Sequence, residues 1–167
     1  MFFLASTSEA GVGMTTREPN VTSAIHSKNA AEPVGAYAHA RRVGPLLFLA
    51  GVGPRLKGSK DIPGVTLNLD RSIATYDIEA QVHACFANVK AVLDESGSSW
   101  DRIIDVMVFL TNMKRDFPSY NKLFAQYFPV GPNSPTRTTV EVGALPTAGN
   151  APIAFEVKVI ATVGEHS

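Results

Sequence analysis

YDIEAQVHACFANVKAVLDESGSSWDRIIDVMVFLTN, residues 76–112, decides the fold class. In its first half Ile78, Val82, Cys85, Phe86, Val89, Val92 and Leu93 recur at spacings of three and four. That spacing places them on one face of a helix. Asp77 stands where an N-cap belongs and Gly97 where a helix C-terminus is capped. The second half, DRIIDVMVFLTN over 101–112, is a continuous apolar run between polar ends. Such a run predicts a strand covered on both faces, at the centre of a sheet.

Upstream, AYAHARRV (36–43) and LLFLAG (46–51) flank the turn signal Val43-Gly44-Pro45 and predict a β-hairpin. Residues 53–70 read as a loop with one short strand at GVTLNL. Downstream, KRDFPSYNKLFAQYF (114–128) predicts a second helix starting near Pro118, with Phe117, Tyr120, Leu123, Phe124 and Tyr127 at helical spacing. TRTTVEVGAL (136–145) and PIAFEVKVIATV (152–163) are two further strands. The order β-β-loop-α-β-α-β-β predicts an α/β sandwich: two helices on one face of a mixed sheet of five to six strands. A right-handed crossover is expected for any parallel pair. The strands at 102–110 and 153–163 are apolar enough to need cover on both faces, so the second face is expected to meet other copies of the chain.

The 167 residues suit one domain, with 31–167 as the folded unit and 1–30, rich in Ser, Thr, Ala, Gly and Asn, as a flexible N-terminal extension. Met14 is an alternative start. Fifteen basic and fifteen acidic residues balance to zero, which argues against a nucleic-acid partner. The lone Cys85 excludes an internal disulfide and reads as a buried structural thiol. MFFLAS at the start lacks the basic region and longer apolar stretch of a secretory signal, and no run approaches the ~20 apolar residues of a membrane span. A cytoplasmic protein without a membrane partner is expected.

One residue in the strands asks for a partner. Strand side chains alternate, so Arg137, Thr139 and Glu141 share a face, and Glu156 and Lys158 share another. If the two strands are neighbours with their polar faces matched, Arg137, Thr139 and Glu156 converge. The plain reading is a salt bridge from Arg137 to Glu141 or Glu156 on a solvated sheet face. The sharper reading is an anion site, with Arg137 gripping a substrate carboxylate in a two-pronged bond and Glu156 as the acid-base group. His26, His39, His83 and His166 show no metal-ligand spacing, and GVGPRLKG (51–58) matches neither phosphate-loop pattern.

PVGAYAHARRVGPLLFLAG (33–51), FANVKAVLDESGSSWDRIIDVMVFLTNM (86–113), SPTRTTVEVGALP (134–146) and FEVKVIATV (155–163), taken together and in order, resemble the RidA/YjgF family of enamine/imine deaminases. Within it, HARRVG, YDIEAQ and RTTVEVGALP look like the 2-aminomuconate deaminase branch. The resemblance implies a chorismate-mutase-like fold, a homotrimer with clefts between subunits, a small carboxylate substrate, and no metal or organic cofactor. It puts the carboxylate-binding arginine at Arg137, the water-positioning or proton-relaying acid at Glu156 and the cleft tyrosine at Tyr37. Thr139 stands where many members carry cysteine, which leaves a hydroxyl in place of a thiol. For a second substrate carboxylate the sequence offers Arg41, Arg42 and Arg55.

Overall fold

A computed structural model describes residues 22–59, 61–147 and 151–164. The amphipathic stretch at 76–97 forms helix α1, Ile78–Glu95. The Asp77 carboxylate caps it by accepting from the Glu79 and Ala80 amides. Gly97 follows its end with φ +71°, a backbone state that a side chain disfavours. Val82, Cys85, Val89 and Leu93 of its inner face are fully buried.

The hairpin is β2, Ala40–Val43, and β3, Leu46–Leu49, turning at Gly44 with φ +57°. The short strand is β4, Val65–Leu67, which pairs with β5, Ile73–Tyr76, in a separate two-stranded sheet. The central strand is β6, Ile103–Leu110, and the last two are β7, Thr136–Glu141, and β8, Phe155–Thr162. A further strand, β1 at Thr22–Ile25, pairs antiparallel with β2. It falls within the stretch read from the sequence as a flexible extension; residues 1–21 of that extension lie outside the described residues. The six-stranded order is β1-β2-β3-β8-β6-β7, all antiparallel except β6 with β7.

The second helix, α2, runs Met113–Tyr127 and starts five residues before Pro118, earlier than expected. Its N-terminus is fixed twice: Asn112 Oδ1 accepts from the Arg115 amide at 3.0 Å and Glu141 Oε2 from the Met113 amide at 2.7 Å. A carboxylate there also complements the positive end of the helix dipole. Pro118 removes one N–H from the ladder without ending the helix, because Phe117 and the fully buried Tyr120 around it pack on the core.

Both helices cover one sheet face. Val106, Val108, Leu110, Phe155, Val157 and Val159 on that face are at most 1% exposed. Each such side chain contributes about 1.5–3 kcal/mol by leaving water. The opposite face bears Phe48, Met107 and Val140, each 36% exposed, with Ile104 at 43%. Among the described residues no helix is long and apolar enough to cross a membrane.

Candidate functional site

Arg137 lies opposite Val106 and Thr139 opposite Val108 across the parallel β6–β7 pair. Since Val106 and Val108 face the helices, so do Arg137 and Thr139. Glu156 lies opposite Phe109 in the antiparallel β6–β8 pair, between Phe155 and Val157, which face the helices. Its side chain therefore leaves the open face. Strand β6 stands between β7 and β8. The alternation read from the sequence holds on each strand, but the convergence of Arg137, Thr139 and Glu156 within one chain does not: they occupy non-neighbouring strands and opposite faces.

The first cluster gathers on α2 and the edge strand β7. Arg137 is exposed and its guanidinium lies 4.6 Å above the Phe124 ring. Arg137 Nη1 donates to Asn121 Oδ1 at 2.9 Å. Among the described residues it forms no ion pair, and Glu141, its suggested partner, caps α2 instead. A ring face and one amide brace the guanidinium while leaving most of its five donors available. Behind it lie two buried hydroxyls, Thr139 Oγ1 and Tyr120 Oη, neither with a hydrogen-bond partner of normal length among the described residues. Burial pushes the Tyr120 phenol up to about 12, while nearby Arg137 and Thr139 pull the other way.

The second cluster forms around a bulge after β3. Phe48 pairs with Ile160 and Val52 bridges to Val157, so four steps along one strand face three along the other. The extra residue falls where Gly51 meets Glu156: a Cβ on Gly51 would lie 2.9 Å from Glu156 Cδ and closer still to Oε1. Burial raises the Glu156 carboxyl above its ordinary range, and the Arg55 guanidinium partly opposes the shift. Tyr37, Ala50, Gly51, Gly53, Arg55 and Asn88 line a crevice of ≈ 380 Å³, counted with its open mouth. Tyr37 is 44% exposed at the rim, with its phenol oxygen accepting from the Val34 amide at 3.3 Å. His39, 7% exposed, is spent on structure: Nδ1 accepts from the Ser27 amide and Nε2 lies 3.0 Å from Ala31 O. Cys85 is fully buried and its thiol is pushed well above the ordinary value by burial, with Glu156 adding to the rise, so it is no nucleophile.

The structure thus groups Arg137 with Thr139 and sets Glu156 apart from both, against Gly51, while Tyr37 lines the crevice that Gly51 also lines. Sequence reasoning missed Asn121, Tyr120 and Phe124 beside the arginine, and Gly51 and Asn88 beside the acid. Asn121, a polar residue next to an apolar helical stripe that must pack near β7, was the one legible signal among them.

Residues 27–163 match the family model described as Endoribonuclease L-PSP. The chain belongs to this family, the YjgF/RidA/RutC group. Membership agrees with imine/enamine deaminase chemistry at the family level. A RutC family protein of Pyrococcus horikoshii is 35% identical over 123 residues, covering 73% of this chain and 86% of its own. Protein HMF1 of Saccharomyces cerevisiae is 35% identical over 119 residues, covering 71% and 81%. Among solved structures, the Rid family protein YyfA of Yersinia pestis superposes with TM-score 0.70 at 31% identity, covering 86% of this chain and all (100%) of that one. E. coli TdcF with bound serine gives 0.69 at 26% identity, covering 85% and 99%. The Rid fold expected from the sequence is therefore the fold observed.

Proposed function

We propose that this Rid family chain hydrolytically deaminates an enamine or imine whose nitrogen-bearing carbon carries a carboxylate, in clefts shared by two copies of a homotrimer. The reading is supported by two clusters that lie apart in the single chain. A braced guanidinium with no acid partner among the described residues sits on one sheet face, and a half-buried carboxyl with raised pKa sits on the other. Each has what the other lacks. Association is further supported by the apolar open face that carries Phe48, Ile104, Met107 and Val140. The serine bound by TdcF, a small amino carboxylate, fits the same ligand class.

In this scheme Arg137 of one copy binds the substrate carboxylate and draws charge from the adjacent carbon. Thr139 and the second copy's crevice, rimmed by Tyr37, shape the space. A carboxyl with a raised pKa keeps its proton to higher pH than an ordinary glutamate, and in this scheme Glu156 protonates the enamine carbon to give the imine. The carboxylate left behind then takes a proton from water as its oxygen attacks the imine carbon. That proton passes to nitrogen, ammonia leaves as the new hydroxyl gives its proton back to the Glu156 carboxylate, and a 2-oxo acid remains. The scheme calls on no metal or organic cofactor. Our candidate substrate is 2-aminomuconate, which with one water gives 4-oxalocrotonate and ammonia; 2-aminoacrylate would use the same anchor. The endoribonuclease activity in the family's name finds no support in a chain of zero net charge.

The test is to follow loss of 2-aminomuconate absorbance and release of ammonia together, with 2-aminoacrylate generated in a parallel assay. Arg137→Ala is expected to lower kcat/KM at least ~100-fold, as loss of charge-assisted bonds implies, with sedimentation unchanged. Thermal stabilisation by 2-oxo acids without ammonia release from either substrate would instead mark a non-catalytic carboxylate binder.

A further inference from the structure

Arg55 is a buried cation that the scheme above leaves unused. It is 8% exposed, and the one hydrogen bond of its guanidinium among the described residues is a long one, from Nη1 to Pro146 O at 3.4 Å. No carboxylate lies within ion-pair distance of it among the described residues. A guanidinium withdrawn from water is costly unless its donors are met. Most of the five are open here.

The local structure holds this cation in place. Asn88, buried on α1, donates through Nδ2 to Gly53 O at 3.0 Å and to Arg55 O at 2.7 Å. That fixes the backbone on both sides of Pro54. Gly53 makes room for the head group: a Cβ there would lie 3.3 Å from Arg55 Nη2 and 3.2 Å from Ile153 Cδ1. Arg55 lines the crevice that Tyr37 and Gly51 also line, and Gly51 lies directly beneath the Glu156 carboxyl. The other two arginines considered for this role are elsewhere. Arg41 and Arg42 sit on β2 between β1 and β3, do not line the crevice, and Arg42 Nε bonds Gly44 O at 3.0 Å.

The geometry points to Arg55 as a second anion-binding residue of the cleft, one that selects substrates bearing a carboxylate at each end. This inference rests on the reading of the cleft given above. Arg137 from the neighbouring copy holds the carboxylate beside the reacting carbon. The substrate chain then runs past Glu156 into the crevice, where its far carboxylate meets Arg55. A substrate with a neutral far end leaves the buried guanidinium unpaired and is bound more weakly. One charge-assisted interaction of this kind corresponds to a preference of about 10- to 100-fold.

The experiment measures affinities of the intact oligomer for two stable 2-oxo acids by calorimetry: 2-oxobutyrate, with one carboxylate, and 2-oxoglutarate, with two. The wild type is expected to favour 2-oxoglutarate at least ~10-fold. Arg55→Gln should collapse that ratio toward one, Arg55→Lys should keep part of it, and Arg137→Gln should weaken both ligands. The wild-type ratio needs no substitution, so it decides the matter even if an Arg55 variant fails to fold. Equal wild-type affinities, or an Arg55→Gln variant that weakens both ligands alike, would overturn the inference while leaving the cleft intact. Undiminished binding of both ligands by Arg137→Gln would overturn the cleft reading itself and the inference with it.

Discussion

Gly51→Ala is the smallest change that separates the position of Glu156 from its chemistry. Gly51 is not among the residues with positive φ, so alanine can take the backbone conformation without strain. The added Cβ would nevertheless lie 2.9 Å from Glu156 Cδ. Ordinary carbon contacts are ~3.5–4.0 Å, so the carboxyl must retreat by about 1 Å. The atoms in the way are the end of a flexible side chain, which can swing, rather than backbone. Stability should change little, because relief of the contact offsets the ~0.4–1 kcal/mol that Gly→Ala gains through the unfolded chain. Catalysis should suffer far more: a ~1 Å misplacement of a proton-transfer group costs on the order of 10²-fold. The assay is continuous loss of enamine absorbance with ammonia measured at the end point, alongside a thermal melt and sedimentation. We expect kcat down ~100-fold, with the melting temperature within a few degrees of wild type. Combining it with Glu156→Asp, whose shorter side chain clears the new methyl, should recover part of the loss. A Gly51→Ala enzyme with wild-type kcat would refute the assignment of Glu156 as the proton-handling group.

Glu156→Gln tests the raised pKa through stability. Burial disfavours the ionised carboxyl in the folded state, so wild type loses stability as pH rises from the ordinary glutamate value (~4.3) through the raised folded one. The amide variant should thus melt higher than wild type at pH 7 and match it near pH 4; a gap constant across that window would contradict the shift. Asp116→Ala should destabilise the fold by ~2–3 kcal/mol in urea unfolding, because Asp116 is 1% exposed and accepts from Tyr76 Oη at 2.5 Å. The same variant should bring the Tyr76 phenol down from about 12, where burial and Asp116 hold it, toward its ordinary value, as read by ultraviolet titration.

Features that depend on neighbours along the chain were readable from the sequence. The apolar period and Asp77 define α1, Gly44 turns the hairpin, and alternation assigns the inner and outer residues of β7 and β8 individually. These follow from backbone geometry over a few residues. The strand pattern singled out Arg137 and Glu156 as an anion-binding and acid-base pair beside the plainer salt-bridge reading; family motifs put the same roles on them and added Tyr37. What alternation cannot supply is the phase of one strand relative to another. That depends on β6 inserting between β7 and β8 and on two registers, and those registers put Arg137 and Glu156 on opposite faces. The bulge that seats Glu156 over Gly51, the bracing of Arg137 by Phe124 and Asn121, and the placing of Arg55 against Asn88 and Pro146 are likewise contacts between segments distant in sequence. Local sequence set the elements and the chemistry they carry; only packing of the whole chain decided which of those groups can meet.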